Sequence, residues 1–119
     1  MTYERKVGRF LKRHFADVEL SPRFAFTDAN GRGYAQPDAL LIRPDRVVIF
    51  EAKYTQRGSG YTQISMLYKP IVEHVYQKPV VGVQVCRILR HSPGEFGIEF
   101  PELALVVEPG RLFTWHFLG

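Results

Sequence analysis

Tyr3, Val7, Phe10, Leu11 and Phe15 recur at helical spacing near the start of the chain, with Thr2 ahead of them as a candidate N-cap. This pattern predicts a helix from residue 3 to about 16. From about Val18 to Thr27 the residues suggest a first strand, with Pro22 demanding a bulge, an irregular start or an edge position. Asp28 to Gly33 supplies turn chemistry and predicts a hairpin into the strand that carries Asp38. The run from Gln36 to Lys53 reads as two apolar strands joined at Arg43-Pro44-Asp45-Arg46, since proline and then aspartate suit the central positions of a type I turn.

A polar, glycine-bearing loop is expected from Tyr54 to Gly60. Ile64, Leu67, Tyr68, Ile71, Val72 and Val75 then mark a helix from Tyr61 to about Gln77, which Pro70 should kink or divide near Lys69. Val80 to Leu89 reads as a central strand covered on both faces. A loop from Arg90 to Gly97 follows. Leu103 to Val107 and Leu112 to Leu118 are then expected as two short strands about the Glu108-Pro109-Gly110 turn. Helix followed by strand implies a crossover connection, and the whole order predicts an α/β sandwich around a mixed central sheet flanked by helices. Trp115 and its apolar neighbours suit either the core or a subunit contact.

With 119 residues, residues 1–119 are expected to form a single domain, and 45% hydrophobic residues exclude a disordered chain. The net charge of +4 favours an anionic partner without separating nucleic acid from an anionic membrane surface. Arg5, Lys6, Arg9, Lys12 and Arg13 fall together on the polar side of the first helix, either as a solvated face or as a phosphate-tracking stripe. Cys86 is the one cysteine, which rules out an internal disulfide and a cysteine-rich zinc site. His14, His74, His91 and His116 are scattered, and Ser59, Ser65 and Ser92 lack a nucleophile elbow, so neither a histidine metal site nor a triad is expected. With no signal-peptide pattern and no membrane-length apolar run, a cytoplasmic location is expected.

The candidate chemistry lies in the Gln36–Lys53 hairpin. If its strands pair without a bulge, Arg43 faces Arg46, Ile42 faces Val47 and Asp38 faces Glu51. Opposed residues share a face with Cβ atoms about 4.5–5.5 Å apart, and like charges there repel. Lys53, two positions after Glu51, joins the same face. Two close carboxylates suit a hard divalent cation such as Mg²⁺ that keeps several waters, and a lysine beside them can orient or help deprotonate one. The competing account is a solvated strand end with a surface ion pair, worth roughly 0–1 kcal/mol. Against it, Leu40, Val47 and Ile49 share the face of the acids while Leu41, Val48 and Phe50 fill the other, a pattern of strands buried under layers.

Pro37-Asp38 followed by Glu51-Ala52-Lys53 resembles the signature of the PD-(D/E)XK nuclease superfamily, which includes type II restriction enzymes, archaeal Holliday-junction resolvases and many small phage nucleases. The resemblance spans about Glu4 to Leu89. It implies a three-layer restriction-endonuclease-like core and metal-dependent phosphodiester hydrolysis. Asp38, Glu51 and the Ala52 carbonyl would hold Mg²⁺, for which Mn²⁺ could substitute, and Lys53 would attend the attacking water. It also implies that Glu4, on the first helix, reaches the metal, and that Gln63 approaches the lysine or the scissile phosphate. Glu4 lies within the apolar sector of its helix, where it could equally complement the helix dipole; Gln63 could equally face solvent.

The leading expectation is a Mg²⁺-dependent DNA endonuclease with Asp38, Glu51, Lys53 and Gln63 in catalysis. A non-catalytic nucleic-acid-binding or assembly module that keeps the fold is the alternative, and a structural protein that oligomerises through its C-terminal strands ranks third. DNA is the expected partner, no membrane is, and a homodimer or a partner protein stays open.

Overall fold

A computed structural model of the chain describes residues 1–90 and 97–119. Helix α1 (Tyr3–His14) opens the fold. Thr2 caps it as its spacing predicts, accepting the Arg5 N–H on Oγ1 at 3.3 Å. Six strands form the main sheet in the order β1-β4-β5-β6-β8-β7: β1 (Glu19–Leu20), β4 (Ala39–Ile42), β5 (Val47–Thr55), β6 (Val80–Ile88), β8 (Leu112–His116) and β7 (Gly97–Ile98). The β1–β4 and β4–β5 pairs are antiparallel, whereas β5–β6, β6–β8 and β7–β8 are parallel, so the sheet is mixed.

Each face of the sheet carries its own apolar layer. Tyr3, Val7 and Leu11 of α1 cover Leu41, Val48, Phe50, Val83 and Trp115 on one side. On the other, Leu40, Val47, Ile49 and Val80 meet the helical run after β5. That run comprises α2 (Gly58–Gln63), a π-helical turn (Ile64–Tyr68) and α3 (Lys69–Tyr76). The expected break near Lys69 takes the form of this π turn. Pro70 has no N–H to donate, and the Lys69 N–H reaches back to the Ile64 carbonyl, one residue farther than an α-helix allows.

The β4–β5 register pairs Ile42 with Val47 and Ala39 with Phe50, as a bulge-free hairpin requires. The Arg43 N–H donates to the Arg46 carbonyl at 2.9 Å to close it. Trp115 is buried against Phe10, Phe50 and Phe117 and belongs to the core.

Several elements depart from the sequence expectation. The single strand expected over Val18–Thr27 is divided at Ser21-Pro22, where Ser21 adopts φ 51°. Its first half, β1, joins the main sheet, and its second half, β2 (Phe24–Asp28), pairs with β3 (Gly31–Ala35) in a separate two-stranded ribbon. Gly31-Arg32-Gly33 lies in β3 and not in the turn, which is Ala29-Asn30 with the Asn30 N–H donating to Asp28 Oδ1. Phe26 explains Gly33: a Cβ there would stand 2.5 Å from the Phe26 ring. The loop expected from Tyr54 to Gly60 shrinks to Gln56-Arg57, because β6 pairs with β5 as far as Thr55 and α2 starts at Gly58. Leu103–Val107 is no strand; Pro101–Leu105 forms a 3₁₀ helix that buries Ala104 and accepts the buried Arg46 guanidinium on the Ala104 carbonyl. His91, Ser92 and the rest of 91–96 lie outside the described residues.

Candidate active site

Strand β4 begins at Ala39, so beyond Phe50 the β4 side of β5 has no ladder partner. Asp38 fills that gap with its side chain: Oδ2 accepts the Ala52 N–H at 2.7 Å. Its carbonyl accepts the Ser21 N–H at 2.8 Å, which ties the residue to the end of β1. Asp38 therefore stands at the entrance to β4, fixed from both sides. Ala52 contributes its backbone here, while its buried side chain joins the layer under α1.

Glu51 points to the other layer and is only 4% exposed. Its carboxyl group hydrogen-bonds to the Asp38 carboxylate and to the Tyr68 hydroxyl. Burial first, and then the hydrogen bond and charge of Asp38, push its pKa up to about 8, against the Tyr68 hydroxyl and the Lys53 charge, which favour the ionised form. The β4–β5 ladder ends at Ala39–Phe50, so Asp38 and Glu51 meet through their side chains and not as a register pair. Buried beside the half-buried Asp38, the Glu51 carboxyl is disfavoured in its charged form, and a proton or another cation there relieves the repulsion.

Lys53 is half-buried on the same face, with its stem under Gly60, whose added Cβ would lie 3.3 Å from Lys53 Cγ. Among the described residues it forms no salt bridge, so the exposed ion pair that would explain Glu51 and Lys53 blandly is not what the chain builds. Tyr68, buried at the end of the π turn, shares its one hydroxyl proton between the Glu51 carboxyl group and the Gln36 carbonyl, the latter 3.4 Å away. Burial and the neighbouring Glu51 hold its pKa above the ordinary phenol range.

The other two candidates sit farther out. Glu4 is exposed, not inward-pointing as the helical wheel suggested; Tyr3 and Val7 are the residues that the start of α1 buries. It lines a cleft of about 250 Å³ with Arg5, Gly8, Arg9, Leu20, Ser21 and Asp38. Gln63 ends α2, half-buried, and has no side-chain hydrogen bond among the described residues. No group of three or more His, Cys, Asp or Glu side chains among the described residues is gathered as a metal cage, so the acidic donors brought together are Asp38 and Glu51.

Two polar side chains that support the site went unnoticed in the sequence. Gln84, paired with Glu51 in the β5–β6 register, is fully buried; its Nε2 donates to the Arg57 carbonyl at 2.8 Å and its Oε1 accepts the Arg57 N–H at 2.9 Å. The Cys86 thiol, pushed up to about 12 by burial, also donates to Oε1 at 3.1 Å. Thr114, one strand farther in register, meets the Tyr61 hydroxyl, which accepts from Gln56 Nε2 at 2.8 Å. A lone glutamine within VVGVQVC is the signal that could have found Gln84, since a doubly covered strand tolerates a polar side chain only with partners.

No family model, no curated protein and no solved structure matches this chain.

Proposed function

We propose that the chain is a divalent-metal-dependent nuclease of the PD-(D/E)XK kind, with a restriction-endonuclease-like core, that hydrolyses DNA phosphodiester bonds. The observation that carries this reading is the contact between Asp38 and the buried Glu51, with Lys53 two residues on along the same strand face. The donor set fits the metal: two carboxylates offer oxygen ligands and leave room for the waters that Mg²⁺ keeps. Asp38 and Glu51 would hold it, with the Ala52 carbonyl as the third donor.

Bound there, Mg²⁺ or Mn²⁺ would acidify a water and neutralise charge on the phosphate. The protein's own residues do the rest. The Ala52 N–H fixes the orientation of Asp38, Glu51 in its ionised form, its proton released to solvent, would be the second carboxylate donor, and the Lys53 ammonium would hold the attacking oxygen and stabilise its negative charge. Arg5 and Arg9, which line the cleft shared with Asp38, draw in the phosphate backbone. A cytoplasmic site of action fits a chain with one buried cysteine.

The test is calorimetric titration of Mg²⁺ or Mn²⁺ into wild type and Asp38→Asn, with cleavage of linear, branched and single-stranded DNA followed in parallel. Metal binding and cutting are expected in wild type, and loss of cutting in Asp38→Asn and Lys53→Ala. Wild-type-like cutting by either folded variant overturns the assignment; DNA binding with no cutting on any substrate turns it toward a binding module.

A further inference from the structure

The β2–β3 ribbon lies outside the main sheet and has two unlike faces. Phe24 and Phe26 are half-buried against the layer formed by Leu40, Ile49 and Val72, and Ala35 belongs to that layer. The alternate positions, Ala25, Thr27, Arg32 and Tyr34, are all exposed, and in the register Ala25 pairs with Tyr34 and Thr27 with Arg32. Tyr34 is 62% exposed, and the Arg23 guanidinium lies over its ring at 4.0 Å from the centroid. The ring also borders a groove of about 380 Å³ lined by Ala25, Phe26, Thr27, Arg32 and Gly33.

Among the described residues, this outer face carries two cations, one aromatic ring and small residues, and no acid. Asp28, the ribbon's own carboxylate, alternates to the Phe24 and Phe26 side, and its Oδ1 is taken by the Asn30 N–H at the turn. A solvent-facing tyrosine stacked with one arginine, and a second arginine about 7 Å along the strand, matches what an unpaired nucleotide offers. The base stacks on an aromatic ring with guanidinium support, and the phosphate meets the other cation. The ribbon runs through Gln36 and Pro37 directly into Asp38, so a strand held there is led toward the carboxylate pair.

We propose that the outer face of the β2–β3 ribbon binds single-stranded nucleic acid, with the Arg23–Tyr34 stack taking a base and Arg32 a phosphate. The proposal rests on the nuclease reading for the identity of the polymer, and assigns to the substrate an unpaired segment next to the bond that is cut. Were the stack only an internal brace of the ribbon, its loss would change stability and leave binding alone.

The experiment measures fluorescence anisotropy of a labelled oligothymidylate, and of a duplex of equal length, with the full chain in EDTA. The single strand is expected to bind more tightly than the duplex. Tyr34→Ala should weaken it roughly tenfold or more, and Tyr34→Phe, which keeps the ring, less than about twofold. Arg32→Ala should weaken it too and reduce the slope of log K against log salt by about 0.7. Wild-type affinity in a folded Tyr34→Ala variant, a preference for duplex that ignores Tyr34, or no binding by wild type to either oligonucleotide overturns the proposal. Because no metal is present and no cutting is read, wild-type-like cutting by Asp38→Asn, which overturns the nuclease reading, leaves this result standing. A Tyr34→Ala variant that binds and cuts like wild type removes the ribbon alone.

Discussion

Gln84 grips the backbone of Arg57 at both ends, donating to its carbonyl at 2.8 Å and accepting its N–H at 2.9 Å. The pair joins a buried position on β6 to the residue ahead of α2, so the start of that helix is fixed over Lys53 and one strand away from Glu51.

Gln84→Leu should therefore cost about 1–3 kcal/mol, the penalty for leaving backbone groups without partners at a covered site. Gly60→Ala should act on the same contact, since its Cβ would stand 2.5 Å from Gln84 Nε2. Urea denaturation of both single variants and the double variant checks this. The double variant should lose less than the sum of the two, as residues sharing one interaction do; additive losses would mean that the clasp does not link them.

Glu51 sets a pH dependence with a definite sign. Its pKa is raised from an ordinary value near 4.5 to about 8, so the folded chain holds its proton more tightly than the unfolded chain. The stabilisation from this group is fully present below about pH 4.5 and is lost as pH rises through about 8. In EDTA, wild type should lose up to about 5 kcal/mol from this group across that window. Glu51→Gln should show a flatter profile and exceed wild type in stability at the alkaline end. Mg²⁺ should raise the wild-type Tm, and more at pH 8.5 than at pH 6, because the ligand must shed its proton. Parallel wild-type and Glu51→Gln profiles from thermal melts would contradict the buried proton.

Tyr68 tunes that proton. Its hydroxyl favours ionised Glu51, so Tyr68→Phe should raise the carboxyl pKa further and weaken Mg²⁺ binding at pH 7 by roughly three- to tenfold, with less effect near pH 9. Calorimetry at the two pH values checks it; an equal loss at both would make Tyr68 a packing residue and nothing more.

How much of this was legible in the chain follows from where the information is local. The β4–β5 register from Ala39–Phe50 to Ile42–Val47 could be read because a two-residue connection at Pro44-Asp45 fixes it, and the apolar alternation on both faces announced two covering layers. The division of Val18–Thr27 could not be read, since β1 and β2 differ in which distant strand each pairs with and not in local propensity. Tyr68 looked like core by spacing and is core by burial; its hydroxyl found Glu51 only through the fold. Leu103–Val107 has the apolar character of a strand, yet Pro101 favours a helical start, and the Arg46 guanidinium draws in the Ala104 carbonyl.

The cations of α1 are distinguishable by position. Arg5 and Arg9 line the cleft that holds Asp38, and Arg9 also borders a second cleft with Lys12 and Arg13. Lys6 lies beside the C-terminal end, where a Cβ at Gly119 would come 3.3 Å from its Cδ. Contacts to phosphates away from the reacting bond bind ground state and transition state alike, so they appear in KM and not in kcat. Arg9→Ala should raise KM for DNA roughly tenfold at moderate salt, leave kcat within about twofold, and reduce the salt slope of binding by about one. Lys6→Ala should leave all three near wild type. Steady-state cleavage at two or more salt concentrations separates the variants; a large KM effect from Lys6→Ala with none from Arg9→Ala would show that the substrate reaches Asp38 from the other side of the helix.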